Sequence, residues 1–149
     1  MTALDQLTER YKALVRRSWR FFSLSHRAWA KAMEPMGLST STFPVLEITV
    51  QLPGITQQQI SDELSIDKSC TSRACSHLEK SGYIHREKSP DFTHGLRCFP
   101  TEEGKQVCQA IIDMETNHIR TLFQQADPGP LEDAAALLQQ LIDHLKNNA

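Results

Sequence analysis

The chain has 149 residues, of which 40% are hydrophobic and 23% charged, and this is the composition of one ordinary globular domain. Its sequence lacks the run of about 20 uncharged apolar residues that a membrane span needs, and its charged N-terminal segment lacks the apolar centre of a signal peptide, so we expect a cytoplasmic protein without membrane contact. The net charge of −2 argues against a uniformly basic nucleic-acid-binding chain.

The charges are unevenly distributed along the chain. Residues 1–66 carry seven Lys/Arg and six Asp/Glu, residues 67–100 carry six and four, and residues 101–149 carry three and eight. The acidic excess therefore lies in the last third. A phosphate-binding surface, if the chain has one, is expected in the middle segment.

The N-terminal third predicts two helices. Apolar residues recur at spacings of three and four between Leu4 and Ala32, which indicates one long helix that ends before Pro35. Ser39 is the predicted N-cap of the second helix. Pro44 would then lie past the first turn and remove one helical hydrogen bond.

The middle of the chain predicts two further helices and a hairpin. Thr56 and Gln59 have capping-box spacing and begin a short helix, and the next helix runs from Asp67 to about Lys80. Residues 83–87 and 96–99 read as two strands, joined by a loop of roughly seven residues. Two more helices follow, beginning after Thr101 and at Leu131.

This order of elements predicts a mainly α fold with a small β-hairpin wing. Residues 38–101 form the expected winged helix-turn-helix, and residues 1–36 and 104–149 form flanking helices. The chain is treated as one domain, 1–149. The apolar stripes of the flanking helices exceed what one winged domain of this length can bury, so we expect them to form a homodimer.

The helix that begins at Asp67 has two different faces. At about 100° per residue, Thr71, Ala74, Cys75 and Leu78 share one small or apolar stripe that is expected to be buried. The opposite side carries small hydroxyls and one arginine, at Ser69, Ser72, Arg73 and Ser76. Arginine can bind guanine O6 and N7 in a bidentate manner, and serine can donate to phosphates or base edges, so this face favours DNA recognition. A polar surface helix without a partner is the alternative.

The middle segment of the sequence strongly resembles the MarR family of bacterial regulators. The resemblance lies in the run ITQQQISDELSIDKSCTSRACSHLEKSGYIHREKSPDF and in FPTEEG, and the flanking helices extend it over nearly the whole chain. It implies a homodimeric repressor that binds a pseudo-palindromic operator in double-stranded DNA. It also implies that the helix from Asp67 enters the major groove, that the hairpin tip reaches the minor groove, and that a small aromatic effector releases the DNA.

The resemblance also implies residue roles. It implies that five residues of the recognition helix contact DNA: Lys68, Ser69, Ser72, Arg73 and His77. Ser76 is added because it lies on the same hydroxyl-bearing face. A phosphate contact at a helix N-terminus falls on Ser39 and Thr40. The wing departs from the family, because an Asp-Arg-Arg type run is replaced by Asp-Phe-Thr-His-Gly. The remaining groove or phosphate candidates in the wing are Arg86, Lys88, His94 and Arg97.

Two further features leave alternatives open. Five residues are candidates to line an effector cleft, or else to pack in the core or dimer interface: Trp19, Arg20, His26, Trp29 and Phe43. The four cysteines have no zinc-ligand spacing and are expected to be free thiols, so no metal or cofactor is predicted. Cys70, near the start of the recognition helix, is where a redox switch would act on DNA binding.

The sequence therefore predicts a DNA-binding transcription regulator. The alternatives are a winged-helix protein-interaction module that has lost DNA binding, and a cysteine-based redox-sensing regulator. An enzyme is not expected, because the sequence has no nucleophile elbow, phosphate loop or metal motif.

Overall fold

The computed structural model describes residues 2–88 and 95–147, and its elements follow the predicted order. The helices are α1 (Ala3–Met33), α2 (Phe43–Gln51), α3 (Gln57–Leu64), α4 (Lys68–Lys80), α5 (Glu102–Leu122) and α6 (Leu131–Asn147), with a 3₁₀ turn at Glu34–Met36. The strands are β1 (Ile55–Thr56), β2 (Ile84–Lys88) and β3 (Leu96–Pro100). The chain divides into two compact units, the first ending at Ile111 and the second beginning at Ile112. None of the helices within the described ranges is both long enough and apolar enough to cross a membrane.

The first unit holds the helix-turn-helix and its sheet. Thr56 caps α3 with the predicted capping box, since its hydroxyl accepts from the Gln59 N–H at 3.2 Å and its own N–H donates to Gln59 Oε1 at 2.9 Å. The three strands are antiparallel in the order β1-β3-β2, so β3 lies in the centre. The two predicted hairpin strands are confirmed and pair with each other, whereas most of the predicted loop between them lies outside the described residues. Strand β1 was not predicted, because two residues between a turn and a helix cap give no alternating pattern.

The core of this unit lies between α2, α3, α4 and the sheet. Its fully buried side chains include Leu46, Ile60, Leu78 and Ile84. The Tyr83 hydroxyl donates to the Met36 carbonyl at 2.6 Å, which fixes the 3₁₀ turn after α1 against the start of β2.

The start of the second helix differs from the prediction. Ser39 does act as a cap, because its hydroxyl accepts from the Thr42 N–H at 3.2 Å while its N–H donates to Thr42 Oγ1 at 2.8 Å. These bonds close a separate turn, and α2 begins only at Phe43. Pro44 is therefore in the first turn of α2, where no helical hydrogen bond is lost, and the predicted defect is wrong.

The flanking helices carry most of the exposed apolar surface. Helix α1 leaves Leu4 69% exposed and Trp19 72% exposed, and buries only Met33. In the second unit, α6 has no buried residue, and Leu145 is 69% exposed. Helix α5 ends at Leu122, five residues before the Asp-Pro-Gly-Pro segment at residues 127–130.

Candidate nucleic-acid interface

The first turn of α4 is held by its N-cap, Asp67. Its Oδ1 atom accepts from the Cys70 N–H at 2.8 Å and from the Ser69 hydroxyl at 2.5 Å. The Ser69 and Cys70 hydrogen bonds hold the pKa of the Asp67 carboxyl well below its usual range. The carboxylate therefore stays charged at the positive end of the helix dipole, and the exposed start of α4 has a fixed conformation.

The two faces of α4 are those predicted from the sequence. The four residues of the predicted stripe are all buried: Thr71, Ala74, Cys75 and Leu78. The predicted contact residues are exposed except for the half-buried Ser76, and comprise Lys68, Ser69, Ser72, Arg73, Ser76 and His77. This surface combines small side chains with two cations, so a DNA groove could approach the helix backbone closely.

Hydrogen bonds to α3 and to β2 hold α4 in place at its two ends. The hydroxyls of Ser61 and Thr71 are 2.7 Å apart between α3 and α4. At the other end, the Arg86 guanidinium forms a two-pronged contact with Glu79 Oε2, at 2.6 Å from Nη2 and 3.0 Å from Nε. The Arg86 N–H also donates to Glu79 Oε1 at 3.1 Å. The helix is thereby fixed to α3 and to β2.

Besides Ser69, two predicted contact residues on α4 have partners within the protein. Arg73 Nη2 donates to Cys70 Sγ at 3.2 Å, one turn back on the same helix. His77 Nε2 lies 2.8 Å from the Gly37 carbonyl oxygen, so Nε2 must carry the hydrogen. His77 therefore connects α4 to the segment that follows α1, while its ring stays exposed.

The wing residues differ in their surroundings. The Arg86 side chain is 17% exposed and forms an ion pair with Glu79, so it stabilises the fold. The same carboxylate raises the pKa of Arg86. Lys88 and Arg97 are exposed on β2 and β3, and Arg97 pairs in register with Glu87. His94 lies outside the described residues.

The turn before α2 contains the two remaining predicted contacts. The Ser39 hydroxyl is within hydrogen-bond distance of Ser41 Oγ and Thr42 Oγ1, at 2.9 Å and 3.1 Å. The Thr40 hydroxyl contacts Nε2 of His26 on α1, at 2.5 Å. Both hydroxyls already serve the local structure, and both side chains are half-buried.

Two clefts flank the exposed face of α4. The first has a volume of about 890 Å³ and lies between α3, α4 and β3, with Gln57, Lys68, Ser72 and Arg97 in its wall. The second, of about 630 Å³, separates α4 from the turn before α2. It is lined by Thr40, Cys70, Arg73 and His77 among others. Gln57 was not predicted to line this cleft, because a polar side chain is common in the first turn of any exposed helix.

The five candidate effector residues do not line either of these two clefts. Phe43 is buried in the core, whereas Trp19 and Arg20 are exposed on α1. His26 stacks at an angle on Phe22, with ring centroids 5.8 Å apart. An effector site at these residues stays a prediction.

Comparison with known proteins agrees with this geometry. Residues 36–91 match the sequence model of the MarR family. The chain is 25% identical over 100 residues to the HTH-type transcriptional regulator BilQ of Clostridioides difficile (strain CD3), which covers 65% of this chain and 68% of BilQ.

Solved structures of MarR proteins share the fold. A MarR transcriptional regulator from Methanosarcina mazei Go1 superposes with a TM-score of 0.74 at 27% identity, covering 93% of this chain and 98% of that one. Streptococcus pneumoniae FabT in complex with DNA gives a TM-score of 0.76 at 15% identity, with coverages of 93% and 99%. The matched segment contains α2, α3, α4 and β2, whose packing forms the helix-turn-helix described above. Over residues 36–91 the chain is thus similar to MarR proteins, and its fold is that of solved MarR regulators.

Proposed function

We propose that this protein is a homodimeric transcription regulator that binds double-stranded DNA through the exposed face of α4. The observation that carries the proposal is that face itself, where Lys68, Ser72 and Arg73 are exposed beside hydroxyls and without a carboxylate among the exposed residues from 68 to 77. The similarity to MarR proteins and to an HTH-type transcriptional regulator supports a regulator and not an enzyme. We place its action in the cytoplasm, with the DNA that it regulates.

Recognition is assigned to a small set of side chains on α4. Arg73 is long enough to reach a base edge and can bind guanine in a bidentate manner. Its contact with Cys70 costs little to break, because a thiol is a weak acceptor. Ser69, Ser72 and Ser76 let the helix approach closely, and Lys68 contacts phosphate near the start of the helix.

The cleft of about 890 Å³ is assigned to the DNA backbone. Lys68 and Arg97 bring positive charge to its wall from α4 and β3, and the Ser72 hydroxyl offers a hydrogen-bond donor. Phosphate oxygens accept bonds from all three types of side chain. Because Arg97 lies on the central strand, the wing can contact phosphate through this residue without a contribution from the tip of the hairpin.

The exposed apolar stripes of α1 and α6 are assigned to the dimer interface. A two-fold dimer presents two α4 helices to one duplex, which predicts a pseudo-palindromic operator with half-sites about one helical turn apart. Release by a small aromatic effector is part of the proposal, with the site at Trp19, Arg20, His26, Trp29 and Phe43 to be tested by substitution.

The direct test is selection of bound sequences from random DNA by the purified protein. A two-fold symmetric enriched site is the expected result. Enrichment of no sequence, by protein that is folded and dimeric, would favour a protein-interaction module instead.

Arg73→Ala tests the assignment of α4. We expect a loss of roughly 1–3 kcal/mol in operator affinity and relaxed preference at one base position, because one bidentate contact is removed. Fluorescence anisotropy with the selected operator and a scrambled duplex measures both effects. Lys80→Ala removes a charge from the exposed end of the same helix and serves as the control. Equal operator affinity in Arg73→Ala and wild type would show that the recognition face is wrongly assigned.

A further inference from the structure

Two cysteines from different elements meet beneath the recognition helix. The Sγ atoms of Cys75 on α4 and Cys98 on β3 are 3.9 Å apart, and both side chains are fully buried. Both are free thiols. The separation is close to van der Waals contact between two sulfur atoms, so the pair is near enough for a disulfide once the two elements shift.

The surroundings favour a thiolate at Cys75. Either sulfur can donate in the hydrogen bond between the two thiols. With Cys98 as the donor, this bond lowers the pKa of Cys75 and raises that of Cys98, whereas burial raises the pKa of both. The Gln57 amide and the Arg86 guanidinium also lower the pKa of Cys75. The Gln57 Nε2 atom is itself buried and has no conventional hydrogen-bond partner in the part of the chain that the structure describes, so it is available to a sulfur anion.

We propose that Cys75 and Cys98 are an oxidisable dithiol that a hydroperoxide converts into a disulfide between the recognition helix and the central wing strand. The Cys75 thiolate attacks one peroxide oxygen, the O–O bond breaks, and the other oxygen leaves and takes up a proton. Cys75 is then a sulfenic acid. The Cys98 sulfur attacks Cys75 Sγ, the S–S bond forms, and the sulfenic oxygen leaves as water with the Cys98 proton. Two thiols lose two electrons in total, and the peroxide gains them.

The oxidant can approach from the cleft of about 890 Å³. Gln57 contributes to the wall of this cleft and also lies beside Cys75. Leu96, which lies two residues before Cys98 on the same face of β3, lines the same cleft. The cleft is therefore the side from which we expect an oxidant to reach the thiol pair.

The other two cysteines differ from this pair. Cys108 is 1% exposed, and burial raises the pKa of its thiol to about 11, which disfavours the reactive thiolate. Cys70 lies on the opposite side of α4 from Cys75, in the wall of the second cleft. Cys70 and Cys108 therefore serve as internal controls.

Oxidation would move the recognition helix. A disulfide requires a sulfur separation of about 2.05 Å, so the two sulfurs must approach by roughly 1.9 Å. Ser72, Arg73 and Ser76 are within one turn of Cys75 on the helix. Because hydrogen-bond geometry tolerates shifts of only a few tenths of an ångström, we expect weaker operator binding after oxidation. This last step rests on the proposed function.

The experiment begins with the reduced full-length protein and hydrogen peroxide, without DNA. Intact mass under denaturing, non-reducing conditions is expected to fall by about 2 Da per chain, with one Cys75–Cys98 linked peptide after proteolysis. Cys70→Ala and Cys108→Ala should still form this bond, and Cys75→Ala and Cys98→Ala should not. The wild-type peptide map decides the question even if a core variant fails to fold. A bond between Cys70 residues of two chains, or full alkylation of Cys75 and Cys98 after treatment, would overturn the proposal.

A second measurement tests the consequence for DNA. Operator affinity should fall about tenfold or more on oxidation, the equivalent of one lost base contact, and dithiothreitol should restore it. A linked peptide with unchanged affinity would overturn the coupling to DNA. Failure of the reduced protein to bind any duplex, together with a linked peptide, would refute the proposed function and leave the dithiol in place.

Discussion

Ser65, which ends α3, is the one residue other than glycine with a positive φ among those that the structure describes, at 52°. Its N–H donates to the Asp62 carbonyl at 3.3 Å, and the next N–H, of Ile66, donates to the Ser61 carbonyl at 3.1 Å. The left-handed conformation satisfies the end of the helix and directs the chain into α4. Serine adopts it at a cost of about 1–2 kcal/mol, because its Cβ crowds the backbone.

Ser65→Gly is therefore expected to stabilise the protein by several tenths to about 1 kcal/mol. Relief of the left-handed strain should exceed the greater entropy that glycine gives the unfolded chain. Urea unfolding at one fixed protein concentration measures the change. Ser65→Val is the matched control and should destabilise, since a β-branched residue fits this conformation worst. If both variants unfold at the same urea concentration, the backbone of this turn is not strained.

Gly104 is the second position where backbone geometry dictates the residue. A Cβ built there would lie 2.0 Å from the Tyr83 carbonyl oxygen, which already accepts from the Thr101 N–H at 3.0 Å. Gly104→Ala should cost about 1–3 kcal/mol or more, because neither backbone can move aside without breaking that bond. The exposed Gln106→Ala on the same helix should be near neutral. A Gly104→Ala protein as stable as wild type would show that α5 does not pack this closely on the start of β2.

The sequence predicts the start of a helix well where a capping residue and the apolar periodicity agree. Asp67, Thr56 and Gln59 give both signals, and α3 and α4 begin as predicted. Ser39 gives only a cap signal, which cannot distinguish one closed turn from a continuing helix. The partners of Arg86 and His77 could not be predicted. The sequence pattern of a basic residue is the same whether its side chain faces DNA or contacts another part of the protein, here Glu79 and Gly37.

The N-cap of α4 predicts a pH dependence of stability. The folded-state pKa of Asp67 lies below its ordinary value of 3.8 because the Ser69 hydroxyl and Cys70 N–H donate to the carboxylate. The charged Asp67 carboxylate therefore stabilises the folded protein above about pH 4. This contribution to the free energy of unfolding is lost as the pH falls through the lower, folded-state pKa. Asp67→Asn keeps the acceptor for Cys70 and cannot titrate.

The comparison is the free energy of unfolding of wild type and Asp67→Asn between pH 2 and pH 6. Wild type should lose more stability than the variant as the pH falls below 4, because other carboxylates contribute equally to both proteins. Parallel curves for the two proteins would mean that the carboxylate does not hold the first turn of α4.

The exposed leucines of α1 and α6 predict that the chain assembles into a dimer. Leu4 and Leu7 on α1 are 69% and 63% exposed, and Leu138 and Leu145 on α6 are 56% and 69% exposed. Apolar patches of this extent are buried in stable oligomers. Sedimentation at micromolar concentration should give a dimer, and Leu7→Glu or Leu138→Glu should each shift it towards monomer. Arg16→Glu, an exposed polar position on α1, is the control. A wild-type protein that is monomeric and folded would contradict the assignment.

The ion pair between Glu79 and Arg86 has a consequence for the thermodynamics of DNA binding. An arginine already neutralised within the protein releases no condensed counterion from the duplex, so it should not contribute to the dependence of affinity on salt concentration. Arg97 and Lys68, both exposed, should each reduce the slope of log affinity against log salt by about 0.9 per contact when replaced by glutamine, and twice that in a dimer. The slope therefore depends only on the number of cations that contact phosphate, whereas the affinity also depends on the other contacts. Arg86→Gln should leave that count unchanged even where it weakens binding by loosening α4.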